Sequence, residues 1–260
     1  MIEIDPLLVK QVVERGKRVD GRPMDKYRDI TVEVGYIKSA EGSARVKMGD
    51  TEVVAGIKIE PGNPFPDSPD EGVLMVGAEF VPLASPHFEA GPPSEDAIEV
   101  SRVVDRAIRE SKVVDFKKLC IKEGEKVWMV FVDIAVMDNG GNLIDACSLA
   151  ALAALLHAKV PKLDDKNEVI SGEYSHNLPI HGKPLCTTFV KIGDQILVDP
   201  SMAEDVALDA RLTIGTFEKD GHIKLCSMQK GGSVGFTMEE IESMIHLAEQ
   251  KGKELRRHVE

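Results

Sequence analysis

A strand followed by an entirely apolar helix, near the middle of the chain, constrains the fold more than any other feature of this sequence. Residues 128–136 form an almost continuous apolar run of strand length, which is typical of a β-strand buried on both faces. Gly140 and Gly141 predict a turn, and residues 143–158 follow as a helix that is apolar almost all round. Because such a helix must be covered on every side, we predict that this strand and helix form the centre of a large core.

The rest of the chain repeats an order of strands followed by helices. Strands are predicted at residues 31–37, 53–59, 73–81, 184–192, 195–198, 212–217 and 222–228, and helices are predicted to begin at Asp5, Ser94 and Thr237. The fold class is therefore α+β, with two similar strand-then-helix halves and no detectable sequence repeat. We predict a single domain over residues 1–260, with halves at about 18–160 and 178–258 joined by a polar linker at 162–177.

Composition excludes several classes of protein. The net charge of −12 argues against free-standing affinity for nucleic acid, so any RNA contact requires a local basic patch. The four cysteines are far apart, which predicts reduced core residues in the cytoplasm, and no apolar run has the length of a membrane span. Walker, dinucleotide-binding and nucleophile-elbow motifs are absent from the sequence.

A cluster of acids between strands is the first candidate site. It contains Asp199, Glu204, Asp205 and Asp209, and Arg211 follows them. Carboxylates at this spacing suit a magnesium ion, although a guanidinium among them would repel it. Composition alone favours a solvated loop whose acids face water.

A row of arginines on the helix that begins after Ser94 is the second candidate. Arg102, Arg106 and Arg109 lie close together in angle, opposite the apolar face, and would form an exposed basic strip. The alternative is pairing within the helix, with Glu99 and Asp105 as partners. Gly140 and Gly141 also precede a helix and suggest a phosphate cradle, but the residues that follow favour a plain turn.

Several segments together resemble the RNase PH family of phosphate-dependent exoribonucleases. Residues 18–22 (RVDGR), 27–30 (YRDI) and 48–55 (MGDTEVVA) resemble the opening of that family. Residues 65–72, 101–106, 141–146 and 197–200 resemble the non-catalytic ring subunit of the archaeal exosome in particular. The resemblance covers nearly the whole chain and implies a single RNase PH-like domain.

The resemblance also implies that this chain is not an enzyme. Active members follow the glycine at Gly141 with a threonine or serine and an arginine that hold phosphate, whereas this chain has Asn142 and Leu143. Of the two aspartates in the later segment of active members, Asp205 is retained and Arg211 replaces the other. No catalytic, metal or cofactor residue is therefore expected, whereas Arg102 and Arg106 match arginines that face RNA and Arg109 is expected to be salt-bridge support.

The expected function is that of a non-catalytic component of the exosome, an RNA-degrading complex. It would structure the active site of a catalytic RNase PH-like partner and help bind single-stranded RNA in a hexameric ring of three copies of each. RNA-binding cap proteins would complete the assembly. The alternatives are an active phosphate-dependent 3′-to-5′ exoribonuclease with magnesium on Asp199, Glu204 or Asp205, and a scaffold without RNA contact.

Overall fold

The computed structural model describes residues 5–259, which form two large sheets, one two-stranded sheet and five α-helices. The elements of the first half are α1 (Pro6–Glu14), β1 (Ile30–Val34), β2 (Gly42–Met48), β3 (Thr51–Gly62), β4 (Val73–Phe80), α2 (Glu95–Glu110), β5 (Cys120–Lys122), β6 (Lys126–Asp138) and α3 (Leu143–Leu156). Those that follow are β7 (Lys159–Leu163), β8 (Val169–Asn177), β9 (Lys183–Ile192), β10 (Gln195–Val198), α4 (Met202–Ala207), β11 (Ala210–Lys219), β12 (His222–Gly232) and α5 (Met238–Arg256). The predicted α+β class with two strand-and-helix halves is confirmed.

Each half is built around its own sheet. The first sheet has the order β1-β2-β3-β6-β4, with β5 beside β6, and only β4 and β6 are parallel in it. The second sheet has the order β10-β9-β11-β12 and is antiparallel throughout. In both sheets, strands that follow one another along the chain are mostly neighbours, as short hairpin turns require.

Helix α3 lies between the two sheets, which explains its apolar sequence. It packs against β2 and β3 of the first sheet and against β9 of the second, and every residue from Ile144 to Leu155 is buried. Strand β6 also belongs to the core, but its burial alternates: Val130, Val132, Ile134 and Val136 are buried, whereas Asp133 on the other face is exposed. The predicted strand and helix therefore do form the middle of the core, but the prediction that the strand is buried on both faces is wrong.

The predicted polar linker at 162–177 is wrong. Its residues belong to a two-stranded hairpin, in which Lys159 of β7 pairs with Asn177 of β8 and Leu163 pairs with Val169. Nearly every residue of β8 is exposed, so the strand carries no alternating apolar pattern. Backbone pairing and a few polar contacts, such as the ion pair of Lys162 with Glu173, hold it, and this is why hydrophobic periodicity did not reveal it.

Helix α4 was also missed, since the segment was interpreted as a loop between strands. It is a single short helix whose capping box joins Ser201 and Glu204. No helix among residues 5–259 combines the length and apolar character needed to cross a bilayer.

The contact between α3 and β2 depends on the absence of a side chain at Gly42. A Cβ atom there would lie 2.5 Å from the carbonyl oxygen of Ala154 and 2.7 Å from the Cα of Ala158. Gly56, on the adjacent strand, offers a comparison, because the nearest atom to its Cβ would be the Ile37 Cδ1 at 3.9 Å.

We expect Gly42→Ala to lower the free energy of unfolding by roughly 1–3 kcal/mol, because backbone atoms on both sides must move. The matched change Gly56→Ala should be neutral or slightly stabilising, since alanine is favoured over glycine in a strand. Urea unfolding of both variants measures the difference. Equal stability of the two variants would contradict this packing.

Candidate functional site

Asp199 and Glu204 are fully buried and Asp205 and Asp209 are partly buried, so the interpretation of the acid cluster as a solvated loop is wrong. Glu204 is fully buried and accepts hydrogen bonds from Arg18 on both oxygens, at 2.8 Å from Nε and 2.5 Å from Nη2. Arg18, itself only 3% exposed, also donates to the carbonyl oxygens of Val198 and Asp199. The bidentate pair joins the segment before β1 to α4, and the carbonyl contacts join it to the residues that precede α4.

Asp199 is neutralised in the same way. Its backbone lies in the left-handed region (φ 52°), and its carboxylate accepts hydrogen bonds from Arg22, Arg28 and Asn142 at 2.8–2.9 Å. Burial by itself would raise the pKa of Asp199, but hydrogen bonds and charge from Arg28 outweigh it and hold the pKa below its ordinary value. Asp199 therefore stays ionised as one partner of a buried ion-pair network.

Asp205 occupies the position where a helix end would hold an anion. Its Oδ2 accepts a hydrogen bond of 2.8 Å from the backbone N–H of Asn142, the residue that opens α3. The positive end of a helix and its free amides are a ready-made binding place for phosphate. Here a carboxylate of the same chain takes that place.

The double glycine turn leaves no open cradle beside it. A Cβ at Gly141 would lie 2.5 Å from the backbone of Ser201 and Met202, so the turn packs directly against the start of α4. The Gly140 carbonyl accepts hydrogen bonds from the Met202 amide and from Arg28, both at 2.8 Å. These contacts match the plain turn that the sequence favoured.

Burial raises the pKa of Asp205 to about 7, although the Asn142 hydrogen bond and the charge of Arg211 act in the opposite direction. A group that titrates near neutrality beside a helix end is the kind of feature that functional sites share. Its neighbours here are the fixed cations Arg28 and Arg211 rather than an open space for substrate.

The carboxylates of this cluster do not fit a magnesium ion. Both oxygens of Asp199 and of Glu204 are engaged by guanidinium groups, whose charge opposes a second cation. Asp209 pairs with Lys10 and accepts from the Gly193 amide. Among residues 5–259, no three His, Cys, Asp or Glu side chains are grouped to hold a metal ion.

Arg211 connects the second sheet to helix α2. Its Nη2 donates to Glu99 Oε1 at 2.6 Å, and its guanidinium lies over Gly231, where a Cβ would approach to 3.0 Å. Glu99 was considered as a partner for arginines of its own helix. It is instead held across the structure by Arg211, a long-range contact that helical spacing does not predict.

The arginine strip on α2 divides into two parts. Arg109 makes an ion pair of 2.6 Å with Asp105, one turn earlier, and donates to the carbonyl oxygen of Leu74. Its predicted role as salt-bridge support is confirmed. Arg102 and Arg106 are exposed and make no hydrogen bond or ion pair with the part of the chain that the structure describes.

The free arginines line a cleft between α2 and β12, together with Glu95, Ile98, Met228 and Gln229. The intrahelical alternative fails for them because its acids are already engaged, Glu99 by Arg211 and Asp105 by Arg109. Two cations without partners among residues 5–259 therefore face an open groove.

Comparison with known proteins places these features in a family. Residues 26–161 match the family model described as 3′ exoribonuclease family, domain 1, and residues 182–251 match domain 2 of the same family. The chain belongs to the RNase PH family of 3′ exoribonucleases.

Relatives within the RNase PH family match over their full length. The exosome complex component Rrp42 of Thermococcus kodakarensis is 49% identical and covers 96% of this chain and 92% of its own. The corresponding protein of Methanocella arvoryzae is 48% identical, covering 99% and 96%. A chain of the Archaeoglobus fulgidus exosome, solved with RNA bound to the active site, superposes with a TM-score of 0.90 at 44% identity and covers 98% of this chain and 97% of its own.

Arg18, Arg22 and Arg28 lie in the segments that resemble the RNase PH family, but their role was not predicted from the sequence. The structure places all three on the acids of the later segment, up to 186 residues away along the chain. A pairing over this distance has no signal in a single sequence.

The raised pKa of Asp205 predicts a pH-dependent stability. An aspartate has an ordinary pKa of 3.8, so between pH 4 and 7 the folded state binds more protons than the unfolded state. Stability from this group is therefore greatest at low pH and is lost as the pH rises through 7. Asp205→Asn keeps an oxygen for the Asn142 amide and removes the titration, so the stability of the variant relative to the parent should rise between pH 5 and 8.

Chemical unfolding of parent and variant at several pH values measures this difference. Asp209→Asn is the matched control, because a hydrogen bond from Lys10 lowers the pKa of Asp209 and its contribution is already complete at pH 5. The control should give a constant difference over this range. A constant difference for Asp205→Asn as well would contradict the assignment.

Proposed function

We propose that this chain is a non-catalytic subunit of an exosome, which supports a catalytic RNase PH-like partner and helps to bind single-stranded RNA. The proposal rests on the observation that the chain's own side chains fill the site. Asp205 accepts the hydrogen bond at the start of α3 that an anion would accept, and Arg211 is paired with Glu99. The exosome components named Rrp42 are 48–49% identical to this chain over nearly its whole length, which supports the same assignment.

The absence of catalysis follows from the chemistry of the cluster. Phosphorolysis requires an attacking phosphate to be held and the charge of the transition state to be stabilised. In this chain the α3 amide is already bonded to a carboxylate, and the acids nearby are paired with arginine. Loss of one acid-base or electrostatic group typically costs about 10²–10⁴ in rate. The active exoribonuclease is therefore not favoured.

RNA binding is assigned to Arg102 and Arg106. The protein has a net charge of −12, and both arginines are cations of α2. The third cation of that helix, Arg109, already forms an ion pair with Asp105. Guanidinium contacts to phosphates supply affinity without reading base sequence. We therefore propose guidance of RNA through its backbone, with low sequence specificity.

The proposed assembly is a ring in which three copies alternate with three copies of the catalytic partner, in the cytoplasm, with RNA-binding cap proteins. The chain would act as a single RNase PH-like domain, with halves at about 18–160 and 178–258. The contacts of α3 with both sheets support one unit rather than two independent ones.

The first test is phosphorolysis by the purified chain. Incubated with magnesium, phosphate and oligoadenylate, the chain alone should release no nucleoside diphosphate. Mixed with an RNase PH-like catalytic partner, it should raise the rate above that of the partner alone. Release by the chain alone, abolished by Asp205→Asn, would overturn the proposal in favour of an enzyme.

The second test is the salt dependence of RNA binding by the assembled ring. Reversing both charges, Arg102→Glu with Arg106→Glu, should weaken binding of oligoadenylate and reduce the slope of log K against log salt. Each lost single-strand phosphate contact accounts for about 0.7 of slope, so two contacts account for roughly 1.4.

The matched control reverses two exposed lysines on the β7–β8 hairpin, Lys162→Glu with Lys166→Glu, and changes the net charge by the same amount. The control should alter the slope much less than the arginine pair does. Equal slopes for parent and arginine variant would remove Arg102 and Arg106 from the RNA contact.

A further inference from the structure

The cleft between α2 and β12 combines two kinds of surface in one place. Its volume is about 440 Å³, within the range of small-molecule binding sites. Arg102 and Arg106 supply positive charge, Ile98 and Met228 supply apolar walls, and Ser227 and Gln229 supply polar groups on the strand side.

The electrostatics of the cleft favour an anion in spite of nearby acids. Glu99 is neutralised by its 2.6 Å ion pair with Arg211, and Asp105, on the same helix, is neutralised by Arg109. Glu95 is then the remaining carboxylate in the lining, against the two free guanidiniums. The cleft keeps a net positive charge on a protein that is acidic overall.

The apolar walls distinguish this cleft from a simple phosphate track. Ile98 is 47% exposed and Met228 is 41% exposed, although both line a concave surface. A phosphate chain gains nothing from aliphatic side chains, whereas the flat face of a nucleobase does gain from covering them. Methionine in particular adapts its shape to a flat aromatic partner.

We infer that this cleft holds one nucleobase of the bound RNA, between Ile98 and Met228, while Arg102 and Arg106 hold the adjoining phosphates. The inference rests on the proposed RNA-binding function and extends it from backbone contact to base contact. Ser227 and Gln229 can both donate and accept hydrogen bonds, so they suit the edge of any base. Discrimination among bases is accordingly expected to be weak.

The test separates base contact from phosphate contact. The full chain is assembled with an RNase PH-like partner in buffer without phosphate, so that RNA is bound but not phosphorolysed. Affinity is measured for oligoadenylate and for an abasic oligonucleotide with the same number of phosphates. The parent should prefer oligoadenylate, and the double change Ile98→Ala with Met228→Ala should reduce that preference roughly five- to tenfold, the lower part of the range for stacking of a base on a side chain.

The control removes exposed aliphatic side chains outside the cleft, with Met75→Ala and Leu225→Ala together. Leu225 lies on the same strand as Met228 and is exposed to a similar extent, 42% against 41%. The control should keep the preference of the parent, and neither double variant should change the salt slope, because both leave the arginines intact.

The outcomes distinguish the two proposals. A salt slope that falls with the arginine reversals, together with a preference unaffected by Ile98→Ala and Met228→Ala, would overturn the base site and keep the phosphate contact. A slope unaffected by the arginine reversals would overturn the proposed function itself. If the Ile98 and Met228 changes weaken assembly with the partner and leave RNA affinity unchanged, the cleft holds a protein side chain and the inference is wrong.

Discussion

The burial of ionised carboxylates is the constraint on which the rest of the site depends. Asp199 and Glu204 lie in the interior, where an unpaired charge costs several kcal/mol. Hydrogen-bonded ion pairs offset that cost: Arg18 binds both oxygens of Glu204, and Arg22 and Arg28 together bind Asp199. Because the arginines precede β1, whereas Asp199 precedes α4 and Glu204 lies within it, neutralising the charges also joins the first half of the chain to the second.

The same network limits which ligands the residues around the start of α3 can bind. Active and inactive members of a family can share every strand and helix, since function resides in a few side chains placed on the fold. In this chain the opening of α3 is bonded to Asp205, and Arg211, whose charge also acts on Asp205, donates to Glu99 on α2. An arginine that would repel a metal from the cluster therefore also holds the arginine-bearing helix against the second sheet.

What the sequence could predict follows from the range of each interaction. The apolar helix at 143–156 and the capped helix at 95–110 were predictable because neighbours three or four residues apart decide them. Strand β8 was not, since its partners are backbone groups and its side chains face water. The pairing of Arg18 with Glu204 was beyond reach for a different reason, because a single sequence carries no record of contacts between distant positions.

Net charge by itself does not show whether a protein has a basic surface, and the pairing of the cations explains why. Most arginines near the site form ion pairs within the protein, as Arg28 does with Asp199 and Arg109 does with Asp105. An acidic total is compatible with RNA contact as long as a few cations are left without protein partners on one exposed face, because the screening length at physiological salt is only about 8 Å. Distant acids then contribute little to the field at Arg102 and Arg106. Of the nearby acids, Glu99 and Asp105 are neutralised, and Glu95 is the remaining carboxylate in the cleft, against two guanidinium groups. The proposed binding surface is therefore defined by which charges the fold leaves free, a property that no count of residues contains.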